Sequence, residues 1–436
     1  MVPSDQDNSG RWVHKIEENL RGVSDLPLSE EGNWIFKLPD NLRSGNQNAY
    51  TPKVVSIGPL HHGKSRLKAM EEHKYRYLKF CLCYNPNITV EDLFNSLNVL
   101  EETVRGLYDQ EHFHQEFSRE EFVTMMLLDG CFIVQLFVFA QADEDTARTY
   151  DPKMFTTGSL YKDVESDLKL IENQLPFFLL EHLYQVIFLN DEQRGTHSFF
   201  TVAVKYFHSY VKIGGNVILE RNGVQVKHLT DILLNCFLPS VTYVAVAPSD
   251  SKPFYHLPTA TELQKVGVRI KGSENINLLD ITFTNGVLAI PKLRLSNSTE
   301  STFRNIIAME QCHPGSNYYV SDYMVVMDDL VNTPEDVGVL ISSKVINSYY
   351  GNDEDVTQLF NSITRGVTIR NTSSHYYGII HEVNVYSNRR WPRWKARVRK
   401  DYFRSPLTVL SLFGALSILI GTIVGAVFTV LSFTNK

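Results

Sequence analysis

The chain has 436 residues, 43% of them hydrophobic and 21% charged, with a net charge of −7. This composition excludes wholesale disorder and suffices for a large core, built as one large or two ordinary domains. Charge is unevenly spread: nine cations and one anion follow residue 388, leaving −15 on residues 1–388, a balance that argues against non-specific nucleic-acid binding.

Residues 1–30 read as a partly disordered N-terminal segment, and 31–388 as the globular body. Met1 to Trp12 is polar and holds no apolar run, so no secretory signal peptide is expected. The first motif is Gly58-Pro59-Leu60-His61-His62-Gly63-Lys64-Ser65, which fits the phosphate-loop spacing GxxxxGK[ST]. Lys53 to Ile57 would be the strand before it and Arg66 to Phe80 the amphipathic helix after it. In that reading Gly58, Gly63, Lys64 and Ser65 hold a nucleotide. Three features oppose it. Pro59 removes an N–H from the cradle. His61 and His62 place Cβ atoms where backbone must approach phosphate. The alternating strands and helices of a parallel sheet are missing downstream. His61, His62 and His73 with Glu71 and Glu72 lack an HExxH spacing, so no metal site is expected.

Glu120 to Ala140 is more apolar throughout and reads as a central core helix carrying a buried acid, Asp129. Asp163 to Gln174 reads as a further helix, and Pro176 opens the next. Glu172, Asn173, Gln174 and Asp129 read as polar groups that cap helices or bridge elements. Leu278 to Thr284 and Val287 to Leu295 flank Asn285-Gly286, a strong hairpin signal, and Val266 to Ile270 adds a third strand. Helices are then expected over Thr302 to Gln311, Tyr319 to Val331 and Val337 to Tyr350. Gly351 follows as a C-cap, and Asp353 as N-cap of a helix ending near Thr364. Arg304 and Glu310 are candidates for a buried ion pair. The expected fold class is α+β: mainly α with a small β-hairpin element, plus one C-terminal transmembrane helix.

From Pro406 to Phe433 no residue is charged. A bilayer core needs about 20 residues of helix, so residues 406–433 read as a single span. Residues 389–405 read as a basic-aromatic interface segment, in which Arg389, Arg390, Trp391, Arg393, Trp394, Lys395 and Arg397 face anionic lipid headgroups. The geometry is tail-anchored, with the plasma membrane as expected site and the body in the cytosol. Gly414, Gly421 and Gly425 fall near one helical face, a candidate homodimer contact. Cys81, Cys83, Cys131, Cys236 and Cys312 show no paired spacing and read as free thiols. Asn87, Asn297 and Asn371 head glycosylation triplets, which matter only for a body outside the cytosol.

Several stretches together resemble one plant family, domain of unknown function 247. They are Ile57 to Gly63, Ala69 to Lys74, Met126 to Phe132, Leu170 to Phe178, Thr259 to Leu263 and Phe303 to Asn305, closed by the C-terminal span. The resemblance implies a plant membrane protein without established enzymatic activity, some grass members being implicated as pollen-side determinants of self-incompatibility. It brings no agreed catalytic residues. The expected function is therefore protein–protein recognition or signalling at a membrane, non-enzymatic and without cofactor. The alternative is a nucleotide-binding enzyme using the Gly58–Ser65 loop.

Overall fold

The computed structural model describes residues 33–109, 117–156, 158–188, 198–208, 225–238, 256–274, 277–313, 317–367, 375–388, 414–415 and 417–427. The helix Arg119–Phe139 forms the axis of the N-terminal half. Its start is set by Ser118, whose hydroxyl accepts from the Glu121 N–H while the Glu121 carboxylate accepts from the Ser118 N–H, a reciprocal cap. From Phe122 onward nearly every side chain is buried, because helices cover it on several sides. Glu71–Tyr84, Val90–Asn98, Phe177–Phe188 and Phe199–His208 all pack on it. Among the described residues it is the one helix long and apolar enough to cross a membrane, but its burial marks it as a core helix. Each Leu or Phe so buried contributes roughly 1.5–3 kcal/mol.

Strands β1 (Arg269–Ser273), β2 (Thr282–Thr284) and β3 (Val287–Pro291) make a small sheet in the order β1-β3-β2. The expected hairpin is present: Thr284 pairs with Val287 across Asn285-Gly286. The third strand expected over Val266 to Ile270 lies later, at Arg269–Ser273, because Val266 still ends the helix Ala260–Lys265; it pairs with β3 in parallel, Arg269 opposite Val287. The hairpin strand is shorter than expected, however. Pro291 ends it, and Leu293–Leu295 is a separate strand, β4, paired in parallel with β5 (Ile346–Ser348).

That second sheet corrects the helix expected over Val337 to Tyr350. The helix Pro334–Ser342 ends early, Lys344 takes a positive φ of 60°, and β5 follows, leaving Gly351 without a helix end to cap. A distant strand competes successfully for the β-branched residues Val345 and Ile346. The next helix, Asp353–Ile363, is capped by Asn352 rather than Asp353.

A second correction concerns Asp163 to Gln174. The helix there is Ser159–Asp167, and the chain then turns. Asn173 Nδ2 donates to the Asp167 carbonyl at 3.0 Å, and Gln174 Nε2 donates to the carbonyls of Leu168 and Leu170 at 2.7 and 2.8 Å. These side chains take acceptors that a continuing helix would need. Helices Thr299–Cys312 and Tyr319–Leu330 stand close to expectation. Arg304 and Glu310 do not pair with each other. Arg304 Nε meets Glu300 at 2.9 Å, while Glu310 accepts the N–H groups of Val320 and Ser321 at 2.9 and 2.8 Å, capping the next helix.

One hydrophobic cluster runs from Trp34 to Val383, so the body has a shared core. Of the expected span, the described part includes the helix Ser417–Val427, which is shorter than a bilayer crossing, and the rest of 406–433 lies largely outside the described residues.

Candidate functional site

The segment Lys53–Lys64 has no ladder of its own. It is held instead by side chains that arrive from elsewhere. Asp167 accepts the N–H groups of Lys53, Val54 and Val55 at 2.8, 2.7 and 3.0 Å. Asn173 accepts the Ile57 N–H at 2.7 Å and donates to the Val55 carbonyl at 3.1 Å. Asp129, from the central helix, accepts the Gly58 N–H at 2.8 Å. Buried backbone groups must find partners, and here buried carboxylates and amides supply them. The sequence reading of Asp129 and Glu172-Asn173-Gln174 as bridges between elements describes this arrangement.

Lys74 completes the inner layer. Its ammonium lies 2.6 Å from Asp129 Oδ1 and 2.7 Å from Glu71 Oε1, with no solvent access. Burial alone would push the Lys74 amine down, but the two carboxylates outweigh burial and hold it above the ordinary lysine value. Glu172 gathers a second set. It pairs with Arg43, accepts the Leu38 N–H at 2.7 Å and lies 3.3 Å from His61 Nε2. Burial would raise the Glu172 carboxyl, yet His61, Arg43 and the Leu38 N–H bring it below the usual range.

Of the phosphate-loop candidates, Gly58 has a φ of 67°, and Pro59–His61 forms a 3₁₀ turn. The residues before it are not a strand, and Ser65–Met70 is a second 3₁₀ turn that leads into the helix Glu71–Tyr84. The amides of Ile57 and Gly58 are spent on Asn173 and Asp129, and that of His62 on the Pro59 carbonyl. This differs from a loop whose successive N–H groups converge on one anion. The histidines diverge: His61 faces Glu172, His62 rests edge-on against Phe117, and His73 lies 3.5 Å from Asp151. Among the described residues no three metal-ligating side chains cluster.

Gly63 and Lys64 instead line a cleft of about 640 Å³. Its lining includes the apolar Leu67, Met125 and Leu128, the acids Glu71, Glu120, Glu121 and Asp129, and Lys68. Such a volume suits a small ligand or an inserted side chain. Sequence reasoning missed this cleft, because its walls come from segments about fifty residues apart. It also missed Arg43, Lys74 and Asp167, whose buried charges resemble surface charges in the sequence.

Arg389, Arg390, Trp391, Arg393, Trp394, Lys395 and Arg397 lie outside the described residues. Gly414, Gly421 and Gly425 are described, and a Cβ built at each would meet nothing within 4 Å.

Fold and site together define a mainly helical α+β protein whose sequence motifs converge on a buried polar hub. The chain belongs to the family domain of unknown function 247, described as a plant protein of unknown function, whose model matches residues 35–421. It is similar to the UPF0481 protein At3g47200 of Arabidopsis thaliana, with 29% identity over 413 residues, 89% of this chain and 84% of the relative. It is also similar to the putative UPF0481 protein At3g02645 of the same plant, with 20% identity over 500 residues, 94% of this chain and 92% of the relative. No solved structure gives a significant match.

Proposed function

We propose that this protein is a membrane-anchored recognition or signalling component that acts through protein contacts. The carrying observation is the helix Ser417–Val427. Ile418, Leu419, Ile420, Ile423, Val424 and Val427 are all exposed, and they point around the helix rather than along one stripe. A helix apolar on every side needs an apolar solvent, and lipid supplies it. The uncharged run from Pro406 to Phe433 and the basic segment before it support the same reading. The body then sits in the cytosol, at the plasma membrane, with a homodimer through Gly414, Gly421 and Gly425 as a further option.

The function is read as non-enzymatic. This is supported by the commitment of the Ile57, Gly58 and His62 amides within the protein, which leaves a poor nucleotide cradle. Pollen-side self-incompatibility is the narrower form of this reading for a grass source. It predicts that replacing this chain by another allele changes which crosses set seed.

The test is alkaline carbonate extraction of the full chain beside a chain ending at Asn388. The full chain should remain in the membrane pellet and the shortened one should move to the supernatant, still folded. Release of the full chain, or retention of the shortened one, would overturn the anchor.

A further inference from the structure

Lys64, one of the residues that line the cleft, carries an amine that the recognition reading does not use. Lys64 Nζ lies 2.5 Å from His61 Nδ1, and His61 Nε2 lies 3.3 Å from Glu172 Oε2. His61 and Glu172 are buried, with 4% and 3% of their side chains exposed, whereas Lys64 is exposed at the cleft. An ammonium has donors and no acceptor, so His61 Nδ1 is the acceptor and the proton of the neutral ring sits on Nε2, toward Glu172. Amine and imidazole thus stand as nucleophile and base, and the Glu172 carboxylate lies beside the ring, 3.3 Å from Nε2.

We propose that Lys64 is an activated amine that captures small apolar aldehydes in this cleft as imines, with His61 as its base. The ligand class follows from the walls. Leu67, Met125 and Leu128 favour an apolar body. Partial desolvation, reinforced by Arg66, holds the Lys64 amine below the ordinary lysine value, which increases its neutral fraction.

The chemistry balances without an external reagent. His61 takes one proton from the Lys64 ammonium. The freed electron pair forms an N–C bond with the aldehyde carbon as the C=O π pair moves to oxygen. A proton passes from that nitrogen to the oxygen, giving a carbinolamine. The hydroxyl then leaves as water with the proton returned by His61, and a protonated imine remains on Lys64.

The test uses the full chain in mild detergent at about pH 7.5, where His61, held below the ordinary histidine value by burial, is neutral and free to accept a proton. Benzaldehyde is the probe, cyanoborohydride traps the imine, and peptide mass spectrometry reads each lysine. Lys68, exposed in the same cleft, is the internal reference. Lys64 should be alkylated at least about tenfold faster than Lys68, the gain expected of an activated amine. Its rate should level off at lower pH than that of Lys68. His61→Gln should bring Lys64 to the Lys68 rate, and Lys64→Arg should abolish the label while leaving the fold intact. Equal rates at Lys64 and Lys68 in the native chain would overturn the proposal, and so would a His61→Gln chain that still labels Lys64 quickly. The native-chain comparison needs no variant, so it decides the matter even where His61→Gln does not fold.

Discussion

Lys74 and Asp129 meet at 2.6 Å inside the protein, with 0% and 1% of their side chains exposed, and this pair ties the helix Glu71–Tyr84 to the helix Arg119–Phe139. Breaking such a pair leaves a buried charge without its partner, whereas removing both charges is far milder. Lys74→Met should therefore cost about 3–5 kcal/mol in urea unfolding. Lys74→Met combined with Asp129→Leu should cost less than the sum of the two single changes, though not zero, because the Gly58 N–H loses its acceptor. Strict additivity of the two changes would contradict the coupling.

Gly58 combines a positive φ of 67° with close neighbours: a Cβ there would lie 2.8 Å from the Gln174 carbonyl oxygen and 3.1 Å from the Tyr108 hydroxyl. Backbone cannot yield as a flexible side-chain end does. Gly58→Ala should lose about 1–3 kcal/mol from strain, with the clash added to it. Unchanged thermal stability of this variant would refute the geometry.

Burial pushes His228 down to about 3 and His313 down to about 4, with Lys227 adding to both and His313 adding to the shift of His228. The ordinary histidine value is 6.5, so the folded rings hold fewer protons than the unfolded ones between these values. Their contribution is complete above pH 6.5 and is lost as pH falls toward 4. Buried Glu310, raised by burial to about 7, acts in the opposite sense, favouring the fold as pH falls. A difference measurement separates the two. His313 rests against Phe36, with ring centroids 5.6 Å apart, so His313→Phe preserves the packing. Its stability relative to the native chain should rise as pH drops from 7 to 4. A pH-independent difference would refute the assignment.

Asn87 and Asn297 are exposed, so both are available to glycosylation if the body leaves the cytosol. Asn371 lies outside the described residues. The cytosolic orientation predicts no change in mass on glycosidase treatment of protein from plant membranes. A glycosidase-sensitive shift, abolished by Asn87→Gln with Asn297→Gln, would reverse the topology.

Much of the helical body was legible because long apolar runs and caps are local signals. Glu120 to Ala140 fell within one residue of the observed helix at both ends. The failures share one cause. Asn173 and Gln174 ended a helix by bonding carbonyls several residues back, and Ile346 to Ser348 left a helical pattern to pair with Leu293–Leu295. The first competitor is local but is a side-chain geometry that residue type alone does not reveal, and the second lies in a distant strand. The site was legible in part: Asp129 and Glu172 stood out as acids in apolar surroundings. Lys74 and Arg43 did not, since a buried cation carries no sequence mark until its partner is known.

The long apolar helix has a consequence for how the chain is made. A ribosome delivers Arg119–Phe139 after Glu71–Tyr84 but before Phe177–Phe188, so the helix emerges with part of its cover still unsynthesised. During that interval it has the length and composition of a membrane-spanning segment. Correct folding then depends on that helix turning inward before its cover is complete. Early docking of Glu71–Tyr84, through Lys74 and Asp129, helps to hide it.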